Sequence, residues 1–468
     1  MSAKPHIVLI VPRGEAVRNF IYSDTLCLLS REARVTLLSV VANERILRHA
    51  RPYVERIILL KEQPECRLLL YLRHVIHYAH FRWLWSKVAQ NIWEWHDAEA
   101  TTLPRQVERI VWKAVMRLLA NRPTLRVLSA IEREATWLLR PNDTFVRLFR
   151  ELQPDLVFNT SHIHGPAGEL PAKIAHHMGV PTAGFIFSWD NLTSRSRILV
   201  PYDYYFVWHV GMRDQLLRIY PEIPPERVFV TGTPQFDFHF KPRFWLGREK
   251  LAEHVGFDPK RPYVLYTTGI AHHFPEEHRM VELVIRLLDE VPVSPKPQLV
   301  VRTYIKDTSP EMLALAQRNI PDVFFPPVLW DKEWFTPLYE DLAIYTSLLR
   351  HAALGINAAS TVSLELLMHD KPVINLGFDP PGSSIPHHFR YARHIEFDHY
   401  WPVATSGAVM VARSAEDMRE MLIRGLTVPE ADSDRRRQFI SNVFGDMLDG
   451  RAGQRVAERL AQIARGGR

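Results

Sequence analysis

The chain has 468 residues, of which 47% are apolar and 24% are charged, and its formal net charge at pH 7 is +6. This length is about three times that of a usual single domain, so we expect two or more domains in an ordinary globular protein. Cys27 and Cys66 are the only cysteines, which excludes a disulfide framework and suits a reducing compartment. The positive charge leaves phosphate, nucleic acid and anionic lipid open as acidic partners.

Two sequence features bear on targeting. The N-terminal apolar run HIVLIV is shorter than the hydrophobic region of a signal peptide, so we interpret it as a first buried strand. No run of 18 apolar residues lacks a charge, and no membrane span is predicted. A cytoplasmic location is therefore expected.

Short apolar runs rich in β-branched residues alternate with helical patterns, which predicts parallel sheets with crossover helices. The first series of predicted strands is HIVLIV from residue 6, VTLLSVV from 35, RIILL from 56, DLVFN from 155, TAGFIF from 182, YYFVW from 204 and RVFVTG from 227. The second series is YVLYTT from residue 263, QLVVRT from 298, LGIN from 354 and PVINLGF from 372. The strand pattern lapses between the two series, at GTPQFDFHFKPRFW.

We interpret the two series as two Rossmann-like domains, 1–240 and 241–434, with a ligand cleft between them, in the α/β fold class. Residues 67–150 lack a convincing strand and hold six of the twelve tryptophans, together with fourteen Lys or Arg against seven Asp or Glu. They are predicted to form a helical insertion in the first domain. The Arg-rich tail 435–468 is predicted to be a helical pair that packs back on the first domain.

Several common chemistries lack support in the sequence. A glycine-rich dinucleotide fingerprint and a P-loop are both absent, which disfavours redox chemistry and nucleotide hydrolysis. Adjacent histidine pairs begin at residues 176, 272 and 387. They have no carboxylate or Cys partner at ligand spacing, so no metal site is expected.

The segment NAASTVSLELLMHDKPVI, residues 357–374, reads as a strand end, a turn, a short helix and the next strand. Ser360 and Thr361 would start the helix, where free amides, hydroxyls and the positive end of the helix dipole favour an anion. Glu365, one turn further in, would accept hydrogen bonds from two ribose hydroxyls. The implied ligand is a nucleotide diphosphate; the alternative is that Ser360 and Thr361 only cap the helix.

Two further strand ends in the second domain point to the same ligand. Arg302 and Lys306 follow one strand, and Thr267, Thr268 and Gly269 end another. Arg and Lys at such positions can neutralise a pyrophosphate leaving group as its charge develops. We expect all three strand ends to contribute to donor binding.

Together, this segment, the Arg/Lys loop and the two-domain strand pattern resemble the GT-B glycosyltransferases. The similarity is greatest to bacterial surface-polysaccharide enzymes and to the related nucleotide-sugar 2-epimerases and CDP-glycerol glycerophosphotransferases. It implies transfer of a sugar from a nucleotide-sugar substrate to a polysaccharide or lipid-linked acceptor, with no separate cofactor and no catalytic metal. Retaining members often carry two glutamates eight positions apart; Glu365 matches the second, whereas Asn357 occupies the first, which favours inversion.

An inverting transfer needs a base that takes the acceptor's proton, and polar residues after strands of the first domain are candidates. They lie in NTSHIHGPAGE and SWDNLTSRSRI. We prefer Asp190 as the base, with His164 as the alternative, and assign His162 to acceptor binding. Further acceptor contacts are predicted after the first strand, at Arg13, Glu15, Arg18 and Asn19.

Three other functions remain open. GTPQFD is similar to the Gly-x-Pro-x-x-Asp turn of the glycerophosphotransferases, which would consume a CDP-alcohol. An epimerase would convert the nucleotide sugar without an acceptor. A non-catalytic nucleic-acid-binding protein would fit the isoelectric point of about 9.2 but would leave the second domain's loops without a role, so no nucleic-acid partner is expected.

The insertion also predicts peripheral association with an anionic membrane. Arg105, Arg109, Lys113 and Arg117 recur every four residues and form one stripe on a helix, and apolar residues such as Ile110 and Leu118 fill much of the rest. This pattern is typical of a helix lying on an anionic bilayer, and Trp83 and Trp85 favour the lipid–water interface. The alternative is a surface helix that hides its apolar face in the core.

Overall fold

The computed structural model describes residues 4–61, 63–162, 166–305 and 308–466. The chain divides into two compact units: unit 1 comprises Met1–Asp237 and Met447–Arg468, and unit 2 comprises Phe238–Asp446. The first division lies close to the predicted boundary at 240/241. Of the predicted tail, residues 435–446 belong to unit 2 and the remainder belongs to unit 1.

The strands follow the predicted runs, with short additional strands in unit 2. In unit 1 they are β1 His6–Val11, β2 Arg34–Ser39, β3 Arg56–Leu59, β4 Leu156–Asn159, β5 Thr182–Phe185, β6 Tyr204–Val207 and β7 Val228–Val230. In unit 2 they are β8 Tyr263–Thr267, β9 Gln298–Arg302, β10 Val323–Phe324, β11 Trp330–Asp331, β12 Thr336–Pro337, β13 Leu354–Asn357, β14 Val373–Leu376 and β15 Met410–Ala412.

The helices fill the connections between the strands. Their bounds are α1 Glu15–Val17, α2 Asp24–Glu32, α3 Glu44–Leu47, α4 Arg67–Leu84, α5 Lys87–Glu99, α6 Leu103–Leu119, α7 Arg122–Leu139, α8 Asp143–Leu152, α9 Pro166–His177, α10 Asn191–Ser194, α11 Val210–Ile219, α12 Arg248–Val255, α13 Glu277–Glu290, α14 Pro310–Gln317, α15 Tyr339–His351, α16 Thr361–Met368, α17 Tyr391–Ile395, α18 Trp401–Ala404, α19 Ala415–Thr427, α20 Ser433–Phe444 and α21 Ala452–Gly466. A π-helical segment, Arg18–Tyr22, follows α1.

Unit 1 contains a seven-stranded parallel sheet in the order β3-β2-β1-β4-β5-β6-β7. All six residues of β1 are buried, as expected for a central parallel strand covered by helices on both faces. The strand order reverses between β1 and β4, where Ile10 pairs with Asn159. In such open sheets, ligands bind outside the carboxyl ends of the strands at this reversal, the switch point.

Unit 2 repeats this arrangement with a six-stranded sheet in the order β10-β9-β8-β13-β14-β15. Its switch point lies between β8 and β13, where Thr267 pairs with Asn357. A separate antiparallel pair, β11 and β12, lies outside this sheet. Within each unit, the switch point therefore brings together loops in which the sequence predicts binding residues.

The predicted insertion consists of α4 to α8 and has a small core of its own, formed by Tyr78, Ala79, Trp93, Met116 and Leu125. A buried carboxylate anchors it to the rest of unit 1. Glu132 of α7 accepts two hydrogen bonds of 2.8 Å from Lys173 of α9 and one of 2.6 Å from Arg73 of α4. Since Glu132 is fully buried, the cations of two other helices hold α7 in place.

The C-terminal helix α21 packs against α2 within unit 1. At the N-terminus of α21, the amides of Ala452 (3.0 Å) and Gly453 (2.8 Å) donate hydrogen bonds to Asp237, the last residue of GTPQFD. A carboxylate at this position satisfies free amides and complements the helix dipole. The motif that suggested a glycerophosphotransferase therefore has a structural role in this chain.

None of the described helices combines the length and the apolarity that crossing a membrane requires.

Candidate functional site

A row of polar side chains crosses the sheet of unit 2 at the carboxyl ends of its strands. Arg302 of β9 pairs with Thr267 of β8, Thr267 pairs with Asn357 of β13, and Asn357 pairs with Asn375 of β14. Residues paired across parallel strands project to the same face. All four side chains are buried, so the switch point of unit 2 is lined by polar groups shielded from water.

Two atoms in this row have no hydrogen-bond partner among the described residues. They are Thr267 Oγ1 and Asn357 Nδ2. The other amide atom of Asn357 is well bonded: Oδ1 accepts from Asn375 Nδ2 (3.1 Å), Ser363 Oγ (3.0 Å) and the Ser360 amide (3.1 Å). Buried polar groups almost always have partners, so two unpartnered groups side by side at a switch point mark a candidate ligand site.

Helix α16 begins beside these groups. Ser360 caps it, because its Oγ accepts from the Val362 amide at 3.3 Å, and Thr361 is its first residue. The preceding Ala359 has φ +46°, in the left-handed region that a residue other than glycine rarely occupies. The turn and the positive end of the helix dipole thus lie next to the unpartnered groups.

Glu365 lies one turn into α16 and is buried. Its carboxylate accepts from Tyr345 Oη (2.6 Å) and from His239 Nε2 (3.1 Å), and His239 Nδ1 lies 3.1 Å from His369 Nε2. Burial lowers the pKa of His369 to about 3, which leaves that ring neutral. The predicted ribose acceptor is therefore already oriented by two protein donors.

Arg302 differs from the expectation that its guanidinium would face a pyrophosphate. Its Nη2 bonds both oxygens of Asp341 at 2.7 and 2.6 Å, and its Nη1 donates to the Pro327 carbonyl at 3.3 Å. Asp341 also accepts from the Leu329 amide (3.2 Å) and Trp330 Nε1 (3.0 Å). In the structure, Arg302 is a buried ion-pair partner that holds the loop before β11.

The loop after β8 carries the other predicted donor residues. Thr268 Oγ1 accepts from the Tyr304 amide at 2.8 Å, and the Gly269 amide donates to Glu277 at 3.0 Å. Burial raises the pKa of Glu277 to about 8, so this carboxyl is largely protonated at neutral pH. Thr268, Gly269 and Glu277 line a cavity of about 300 Å³.

At the switch point of unit 1, predicted acceptor residues meet around Phe187. The Arg13 guanidinium lies 4.8 Å from the Phe187 ring centre and its Nε donates to Glu15 at 2.8 Å. His162 Nδ1 accepts from the Phe187 amide at 3.3 Å. Burial lowers the pKa of His162 to about 3, so this ring is neutral and unsuited to storing a proton at neutral pH.

Asp190, the preferred base, lies three residues after Phe187, directly before α10, and is half-buried. It accepts hydrogen bonds from Ser188 Oγ and Ser194 Oγ. These bonds fix the orientation of the carboxylate in a residue that is partly exposed. A general base requires both a defined orientation and access to its substrate.

Arg18 and Asn19 lie on the π-helical segment after α1. Arg18 donates to Gln235. Neither amide atom of the fully buried Asn19 side chain has a partner among the described residues. Because π-helical turns occur frequently at functional sites, Asn19 is the most distinctive of the predicted acceptor residues.

No protein-family model matches the chain, and no curated protein matches its sequence. Solved structures do match. A UDP-GlcNAc 2-epimerase from Neisseria meningitidis, described as bound to UDP-GlcNAc, is 11% identical over 98% of this chain and 100% of its own, with a TM-score of 0.55. A putative UDP-N-acetylglucosamine 2-epimerase from Listeria monocytogenes is 13% identical over 97% and 94%, with a TM-score of 0.55. A glycosyltransferase from Rickettsia africae is 10% identical over 99% and 98%, with a TM-score of 0.50.

The chain has the GT-B fold. This confirms the predicted α/β class with two Rossmann-like sheets and the resemblance to GT-B glycosyltransferases and nucleotide-sugar epimerases. At these identities the likeness concerns the fold alone.

Two predicted site residues, His164 and Lys306, lie outside the described residues. The sequence did not predict four buried residues of unit 2 that hold the site residues in place through hydrogen bonds. They are Asp341, Glu277, His239 and Asn375. A weak signal existed for Asn375, because it ends an apolar strand run directly after the predicted helix. Among the described residues, no group of three or more His, Cys, Asp or Glu side chains is arranged to hold a metal ion.

Proposed function

We propose that the protein is a metal-independent glycosyltransferase that moves a sugar from a nucleotide-sugar donor to an acceptor in cell-surface glycan synthesis. The observation that supports this most directly is the pair of unpartnered buried groups, Thr267 Oγ1 and Asn357 Nδ2, at the switch point of unit 2. Nucleotides bind at this position in doubly wound sheets. The nucleotide sugar is the substrate, and no further cofactor is proposed.

The donor's pyrophosphate would bind at the start of α16, near Ser360 and Thr361 and the loop formed by Thr267, Thr268 and Gly269. Hydroxyls, backbone amides and the helix dipole there favour a dianionic group. Glu365 would contact the ribose from one turn inside α16, where Tyr345 and His239 orient its carboxylate. Lys306 remains a predicted pyrophosphate contact, and Arg302 would act through the loop that it anchors.

Unit 1 would bind the acceptor through Arg13, Glu15, Arg18, Asn19 and His162. The acceptor hydroxyl attacks the anomeric carbon as the bond to the nucleoside diphosphate breaks, and the proton of that hydroxyl passes to a base. Asp190 is the proposed base, since Ser188 and Ser194 orient its carboxylate and the residue is partly exposed, whereas His162 is buried and neutral. His164 remains the alternative. A single displacement of this kind inverts the anomeric centre.

The acceptor we propose is a polysaccharide or a lipid-linked glycan, reached at the cytoplasmic face of a membrane through residues 67–150. Cys27 and Cys66 are both free thiols, which suits a reducing compartment. The net charge of the insertion, +7 by residue count, favours an anionic surface.

The test is a turnover assay with a panel of nucleotide sugars and CDP-glycerol, with and without a membrane extract as acceptor source. A glycosyltransferase releases nucleoside diphosphate only when acceptor is present. Conversion of the nucleotide sugar without acceptor would instead identify an epimerase, and cleavage of CDP-glycerol alone would identify a glycerophosphotransferase. Either result would overturn the proposal.

The proposed base has its own test. Asp190→Asn keeps the size of the side chain and removes its basicity, so acceptor-dependent turnover should fall roughly 100- to 10,000-fold while donor binding is unchanged. Ser194→Ala removes a donor to Asp190 but leaves the carboxylate, and should lower turnover far less. If Asp190→Asn turns over normally, another group is the base.

A further inference from the structure

Helix α6 exposes a row of apolar residues on its outer side. Leu103, Ile110 and Leu118 are 73%, 67% and 77% exposed, and Val107, Val111 and Val115 on the same side are also exposed. The buried or partly buried residues Arg109, Trp112, Met116 and Leu119 follow one another at helical spacing on the opposite side. Helix α6 therefore hides one apolar side in the core of the insertion, as the alternative expectation has it, and exposes a second apolar side.

The neighbouring helix α4 also exposes apolar residues. Leu68 and Tyr71 are 63% and 60% exposed, and the Tyr71 ring contacts Trp112 of α6 with 6.4 Å between ring centres. A concentration of large exposed apolar side chains, such as the outward face of α6 carries, marks an interaction site.

Positive charge borders the apolar face. Arg117 is exposed on the flank of this face, and Arg105 is exposed on the side of α6 that carries Arg109; neither has an acidic partner among the described residues. Lys113 on the same flank pairs with Asp97. An apolar face edged by cations is the pattern of a helix that lies in the interface of an anionic bilayer.

A cavity of about 540 Å³ opens beside this face. Its walls include the cations Arg82, Lys113 and Arg117, the indole rings of Trp85 and Trp93, and the carboxylates Glu94 and Asp97, the second of which pairs with Lys113. Arg82 lies 4.2 Å from the centre of the Trp85 ring. Cations and indole rings together suit a phosphate headgroup whose acyl chains continue along the apolar face.

We propose that the outward face of α6, with the cavity beside it, docks on a membrane of anionic phospholipid, and that the cavity receives a lipid phosphate headgroup. This specifies the membrane contact suggested under the proposed function but does not depend on sugar transfer. Leu103, Ile110 and Leu118 would enter the acyl region, while Arg82 and Arg117 would remain at headgroup level.

Charge decides between a membrane and a second copy of the chain as the occupant. A second copy would bring together two insertions that each carry a net charge of +7 by residue count, and like charges in close contact oppose association. An anionic leaflet attracts the same charges. The membrane is therefore the occupant that the surface favours.

The experiment is co-sedimentation of the full-length protein with vesicles of phosphatidylcholine, with or without phosphatidylglycerol. Wild-type protein should pellet with the anionic vesicles and stay in the supernatant with neutral ones. Ile110→Glu/Leu118→Glu should lower binding at least ten-fold, since two exposed apolar anchors become charged. The matched control is Leu313→Glu, a 52% exposed leucine on α14 of unit 2, which should bind like wild type.

The cavity is tested with two charge reversals on α6. Arg117 lines the cavity and Arg105 does not. Arg117→Glu should therefore weaken vesicle binding several-fold more than Arg105→Glu does. Equal losses of vesicle binding would overturn the headgroup site. Wild-type protein that stays in the supernatant with anionic vesicles at low salt would overturn the docking surface. In the absence of lipid, sedimentation analysis should find a monomer. A dimer that the Ile110→Glu/Leu118→Glu substitutions dissociate would also overturn the docking surface.

Discussion

At the scale of single residues, Arg302 shows what a position after a strand predicts and what it does not. The sequence places it correctly at the carboxyl end of a strand, beside the switch point. Its partner, Asp341, lies 39 residues further along the chain in α15, and nothing local in the sequence couples the two. The position of a charge was therefore predictable, whereas its burial in an ion pair was not.

Arg302→Ala should destabilise unit 2, because it leaves the buried carboxylate of Asp341 without its cation. Breaking a buried ion pair in this way costs about 3–5 kcal/mol of the free energy of unfolding. Arg286→Ala, which removes an exposed arginine of α13, is the control and should stay within about 0.5 kcal/mol. Calorimetric melting decides the matter: equal melting temperatures for the two variants would contradict the ion-pair assignment.

Glu277 predicts a pH dependence of stability. Burial raises its pKa in the folded protein to about 8 from 4.5. Between these values the folded state keeps a proton that the unfolded state has lost, so this group's stabilisation falls as pH rises from about 4.5 to about 8. Glu277→Gln cannot ionise and should remove the effect.

The measurement is the melting temperature of wild type and Glu277→Gln at a series of pH values from 5 to 8. The stability of wild type relative to the variant should decline by up to about 1.4 kcal/mol per pH unit across the window. Two parallel curves would show that the carboxyl is not held protonated.

At the scale of secondary-structure elements, the insertion was predictable as helical but its orientation was not. The four-residue spacing placed Arg109 on an exposed basic stripe. In the structure Arg109 turns inward, bonding Asp97 at 3.1 Å and lying 5.1 Å from the centre of the Trp93 ring. Helix α6 has apolar residues on both sides: Trp112 and Met116 face the core of the insertion, and Leu118 is exposed. Periodicity alone therefore could not decide which side is buried.

The Glu132 network should control how the insertion is held. Glu132→Ala leaves Lys173 and Arg73 partly uncompensated in a buried setting, which should cost about 3–5 kcal/mol. Glu134→Ala, two residues along the same helix and exposed, is the matched control and should change little. Hydrogen exchange should show faster opening of α7 only in Glu132→Ala; unchanged protection there would contradict an anchoring role.

At the scale of the whole molecule, the GT-B fold was readable because buried parallel strands appear as short apolar runs. The shortest strands escaped prediction: β10 has two residues and β15 has three, and neither is fully buried. Part of the candidate site could be predicted from the sequence. Thr267 and Asn357 could be placed on strand ends, but that they are neighbours with unpartnered atoms depends on the register between β8 and β13, which local sequence does not specify.

We propose that the switch point of unit 2 binds a nucleoside diphosphate. The decisive measurement is calorimetric titration of UDP, GDP, ADP and CDP into wild type and into Thr267→Val. Valine keeps the β-branched shape and removes the unpartnered hydroxyl, so the variant should fold as stably as wild type and bind roughly ten-fold more weakly. Thr427→Val, on α19, is the control and should bind like wild type. At a hundred times the dissociation constant the ligand should stabilise wild type by about 2.7 kcal/mol. Wild-type protein that binds none of the four nucleotides, or a Thr267→Val variant that binds one as tightly as wild type, would contradict the claim.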